Sequence, residues 1–66
     1  MYLSDYEATI RVDNLLAISE SKSEDGRAGL TLIYPTIKAE ILYSDWILRD
    51  RMFNRISRYL TERKSE

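Results

Sequence analysis

The chain has 66 residues, a net charge of −1, and neither cysteine nor histidine. Disulfides are therefore excluded, and the usual zinc ligands, imidazole bases and thiol nucleophiles are missing. One domain, 1–66, is the most this length supports, and so short a domain buries only about 60% of the surface its unfolded chain exposes, so it relies on an unusually good core or on association.

Tyr6 to Asp13 alternates strictly, with Tyr6, Ala8, Ile10 and Val12 on one side and Glu7, Thr9, Arg11 and Asp13 on the other. Period two over such a run predicts a strand with one buried face. Asp13 or Asn14 is a suitable cap for a following helix, and Leu15, Leu16 and Ile18 supply its apolar patch, which predicts about two helical turns. The polar stretch Ser19–Arg27 reads as a mobile loop ending in an Asp-Gly turn signal.

Two further alternating runs follow. Ala28, Leu30, Leu32 and Tyr34 interleave with Gly29, Thr31 and Ile33; Ile37, Ala39, Ile41 and Tyr43 interleave with Lys38, Glu40 and Leu42. Pro35 between them suits the second position of a turn, so the pair predicts a β-hairpin.

Ser44 or Asp45 then caps a long amphipathic helix reaching Lys64, after which Arg63-Lys64-Ser65-Glu66 is expected to fray. Leu48, Met52, Phe53, Ile56, Tyr59 and Leu60 form its apolar face, with Trp46 at the margin. Arg51, Arg55 and Arg58 form a basic stripe. Arg49 lies inside the apolar arc, one helical turn after Asp45. It reads either as a side chain lying along the core with its head paired to Asp45, or as an interface ion pair.

These elements predict an α+β fold of two layers. A three-stranded antiparallel sheet in the order β-α-β-β-α carries the long C-terminal helix on one face. The short first helix leaves the last helix without a full-length neighbour, so part of its apolar arc is expected to stay exposed as a contact surface. The expected partner-binding residues are Trp46, Arg49, Met52, Phe53, Ile56 and Leu60, and an obligate dimer is expected.

Catalysis is not expected. Asp45 and Asp50 diverge on the helix surface, and Gly26 and Gly29 belong to no phosphate-binding loop. No cofactor is expected either. The opening residues do not have the pattern of a signal peptide, and no apolar run approaches the roughly 20 residues of a membrane span, so the expectation is a cytoplasmic protein. Residues 1–48 hold four basic and eight acidic groups, whereas 49–66 hold six basic and three acidic. The arginine stripe is thus a candidate for phosphate contact, as well as an ordinary solvated helix face.

The turn Tyr43-Ser44-Asp45, then Leu48-Arg49, Asn54 and Arg58, together with the opening strand Tyr6–Val12, resemble the small Pcc-type subunit of the KEOPS tRNA-modification complex. The resemblance covers about half the chain. Here the Leu-Arg pair comes one residue early, the first helix is shorter and more polar, and Ser19–Arg27 has no counterpart; a divergent paralogue is implied. The resemblance implies a non-catalytic assembly subunit. It would dimerise with itself or with a Pcc-type subunit, dock on the tRNA threonylcarbamoyltransferase and possess a possible tRNA contact. The run Thr9–Asp13 with Leu15-Leu16 and the arginine-rich last helix also resembles a ribbon-helix-helix DNA-binding regulator, in which Thr9, Arg11 and Asp13 would read bases. An unrelated small protein-interaction module is the third reading.

Overall fold

The computed structural model describes residues 1–64. Five strands precede one helix: β1 Tyr2–Ser4, β2 Thr9–Arg11, β3 Ala17–Lys22, β4 Ala28–Ile33, β5 Lys38–Tyr43 and α1 Trp46–Lys64. β1 and β2 pair as an antiparallel ribbon, and β3-β4-β5 form a separate three-stranded antiparallel sheet. The architecture is α+β, with the C-terminal helix packed against the sheet.

The expected opening strand is shortened by its own turn chemistry. The Asp5 carboxylate accepts hydrogen bonds from the Glu7 and Ala8 amides, both at 2.9 Å, and the Asp5 amide donates to the Ala8 carbonyl. This Asx-type turn folds residues 5–8 back between β1 and β2. Ile10 and Val12 are buried as the alternation predicts, but Tyr6 stands 97% exposed instead of joining them.

The short helix predicted after Asp13 does not form. Asn14 takes φ 66°, a left-handed conformation that asparagine tolerates, and reverses the chain. Leu15 drops into the core, the Leu16 amide donates to the Ile33 carbonyl, and Ala17–Lys22 becomes an edge strand instead of a helix end and loop. Serine and glutamate are poor strand formers, so pairing with β4 overrides local preference here. The element order is accordingly β-β-β-β-β-α, not β-α-β-β-α.

The hairpin Ala28–Tyr43 forms as predicted, in a register that sets Leu30 opposite Ile41 and Leu32 opposite Ala39. Its turn closes through the Tyr34 amide and Ile37 carbonyl at 2.9 Å, which leaves Ile37 in the turn and 61% exposed, not inward. The ribbon-helix-helix resemblance implies two helices with a short turn between them, whereas residues 28–43 are a hairpin and the described residues contain one helix.

The pairing registers set Ile18, Glu20, Lys22, Ala28, Leu30, Leu32, Ala39, Ile41 and Tyr43 on the helix side of the sheet. The opposite side carries rows Ser19-Thr31-Glu40 and Ser21-Gly29-Leu42. Gly29 permits close approach there: a Cβ would lie 2.6 Å from Ser21 Oγ and 3.2 Å from Leu42 Cδ2.

Asp45 caps α1, its carboxylate accepting from the Ile47 amide at 2.8 Å. Ser44 is engaged instead by Glu7, which accepts from its amide and hydroxyl. Met52, Ile56 and Leu60 recur one turn apart and enter a core with Ile10, Val12, Leu15, Leu30, Leu32 and Tyr43. Ribbon, sheet and helix all contribute to it. The neighbour that α1 was expected to lack is supplied by β3 and by the ribbon.

The helix is anchored near its end. Arg63 donates to the Leu15 carbonyl at 2.7 Å and lies over the Tyr59 ring, 5.6 Å from its centroid. Fraying was expected from Arg63 onward; Arg63 is instead tied down, and Ser65 and Glu66 lie outside the described residues.

Candidate functional site

Of the six expected partner-binding residues, three belong to the interior. Met52, Ile56 and Leu60 are at most 9% exposed, because the sheet and ribbon already cover them. Phe53 is partly buried against the same core. The three buried residues offer no docking surface along the helix, whereas Phe53 keeps part of its side chain exposed.

Arg49 is also taken. Its guanidinium donates to the Ser21 and Gly29 carbonyls, both at 3.2 Å, and pairs with Asp50 at 2.7 Å and Glu20 at 3.2 Å. Asp45 is not its side-chain partner, as its carboxylate is spent on the helix cap. The hydrogen bond from Arg49, with a further one involving Glu20, holds the Asp50 carboxyl below its ordinary range. This network joins the helix to β3 and β4, so it is internal and not an interface ion pair.

Trp46 stands outside the core. It is 62% exposed on the first turn of α1, with Ile47 beside it at 44%. Trp46 lines a groove of about 580 Å³ whose opposite wall is the end of β3 at Lys22 and the β3–β4 loop, including Asp25, Gly26 and Arg27. That loop is a built turn. The Gly26 amide donates to the Ser23 carbonyl at 2.9 Å, Gly26 has φ 89°, and Arg27 pairs with Asp25 at 2.9 Å. One wall is therefore a large aromatic surface and the other a structured polar loop.

Sequence reasoning missed Ile47 and Leu42, the latter 39% exposed. Each carried a signal. Ile47 is an apolar residue outside the helix stripe, and Leu42 is an apolar residue in the polar half of its strand's alternation.

The arginine stripe is on the surface. Arg51 and Arg58 are exposed, and Arg55 is exposed while donating to the Ser4 carbonyl at 3.0 Å. Among the described residues no group of three or more acidic side chains is placed to hold a metal ion, and no helix is long and apolar enough to cross a membrane. The chain matches no protein-family model, no curated protein and no solved structure.

Proposed function

We propose that this chain is a non-catalytic interaction module that binds another protein through the first turn of its helix. The observation that carries the reading is Trp46, an interface-prone aromatic left 62% exposed on a groove wall while Met52, Ile56 and Leu60 of the same helix are buried. Ile47 extends the apolar surface, and the capped, sheet-anchored start of the helix holds both side chains on a rigid support.

The KEOPS subunit reading is a narrower form of this proposal. It now rests on the strand–turn–helix segment Lys38–Lys64, with Asp45 at the turn, and would use Trp46 instead of the middle of the helix.

Co-purification from the native host tests both. Wild type is compared with Trp46→Asp, which leaves the buried core intact. A partner retained by wild type and lost in the variant is the expected result, and a Pcc-type subunit or threonylcarbamoyltransferase component would establish the narrower reading. An identical set of partners from both proteins would refute the Trp46 surface.

A further inference from the structure

The turn Asp5–Ala8 sets Tyr6 at the rim of a groove on the arginine side of α1. Tyr6, Arg51 and Arg55 line one groove of about 400 Å³ with Ser4, Asp5, Leu48 and Met52. We propose that this face binds single-stranded nucleic acid, with Tyr6 as a base-stacking platform and Arg51, Arg55 and Arg58 as phosphate contacts.

The chemistry of the groove supports this occupant. The Tyr6 side chain is 97% exposed, so its ring is open to stacking, which is tolerant of base identity. Arg51 and Arg58 make no hydrogen bond or ion pair with another described residue, and Arg55 spends one N–H on Ser4. At 1.5 Å per residue the stripe runs about 10 Å along the helix, enough to follow a bending strand over a few phosphates.

Asp5, Glu7 and Asp50 form no ion pair with these arginines. Asp5 faces its own turn and accepts from the Tyr43 hydroxyl, Glu7 is held by Ser44, and Asp50 is paired with Arg49. The stripe itself carries three positive charges on a chain whose net charge is −1. A duplex has no open base face for Tyr6. A lipid surface would need aliphatic side chains free to enter the headgroup layer from this groove, whereas of those lining it Met52 is buried and Leu48 partly so.

The test is fluorescence anisotropy of a short labelled oligo-uridine, with a duplex of equal length and phosphatidylserine vesicles as competitors. Three phosphate contacts predict a slope of log K against log salt near about −2 for a single strand, reduced by about 0.7 in Arg51→Ala or Arg58→Ala. Tyr6→Ala should weaken binding roughly 5- to 100-fold, and Tyr6→Phe should retain it. Circular dichroism verifies that each variant is folded. Absence of binding by the folded wild type at low salt would overturn the proposal. So would unchanged affinity in Tyr6→Ala, or better competition by the duplex or the vesicles than by unlabelled oligo-uridine. The Trp46 surface is independent of this result, because Trp46→Asp leaves every group named here in place.

Discussion

Tyr43 shows how one side chain links distant parts of the sequence. It is fully buried, and its hydroxyl donates to Asp5 Oδ2 at 3.1 Å across 38 positions. Burial, and after it the neighbouring Asp5 carboxylate, push its ionisation far above the ordinary value of 10.0. The unfolded chain therefore loses this proton first, and stability should decline as pH rises past about 10. Burial also raises Tyr34, which adds a smaller part of the same decline. Tyr43→Phe should cost about 1 kcal/mol at neutral pH through the lost hydrogen bond and should flatten the alkaline loss seen in urea titrations from about pH 9 to about pH 11. An equally steep loss in the variant would show that another group is responsible. The inward direction of Tyr43 was legible in the alternation of its strand. Its partner was not, because Asp5 reaches it through a turn that the run Tyr6–Asp13 disguised as strand.

At the scale of elements, the hairpin and the long helix were legible because turn residues and apolar period agree there. Asp25-Gly26 and Pro35 mark both sheet turns, and Met52, Ile56 and Leu60 keep helical spacing. β3 was hidden for a physical reason: its inward positions include Glu20 and Lys22, so its alternation is not apolar against polar. Glu20 can face the helix because Arg49 meets it there. Arg49 thus fastens α1 to the β3–β4 hairpin through two backbone carbonyls and the Glu20 carboxylate, with Asp50 of its own helix bracing the guanidinium. Removing it in Arg49→Ala should destabilise the fold by about 2 kcal/mol in urea denaturation, the range of hydrogen bonds made by a charged group. Arg49→Lys should recover little, since one ammonium lacks the planar fork that reaches several acceptors. Full recovery by lysine would reduce Arg49 to a simple positive charge.

For the whole molecule, the question is whether one copy is enough. A monomer of 7.8 kDa is expected to expose about 4,400 Å², and this chain exposes 4680 Å². Its radius of gyration is 11.6 Å, against about 10.8 Å for a folded chain of this length. Both values are those of a compactly folded chain drawn out along the 39 Å dimension. The expectation of an obligate dimer assumed an uncovered helix face, of which Met52, Ile56 and Leu60 are buried within the chain and Leu48, Phe53 and Tyr59 partly so. Around the helix, Trp46 and Ile47 at its start and Tyr6 with the arginines along one flank stay exposed. Both candidate surfaces emerge where the turn at Asp5 and the strand at Ala17–Lys22 replace the elements predicted from sequence.

Amide hydrogen exchange on the isolated chain, measured at dilute and at high protein concentration, tests the self-sufficient core most directly. The amides of Met52, Ile56 and Leu60, with those of Leu30 and Leu32, should be the most protected, and equally so at both concentrations. Helix amides that exchange freely in the dilute chain and become protected only on concentration would contradict the account and restore a partner as the missing layer of the fold.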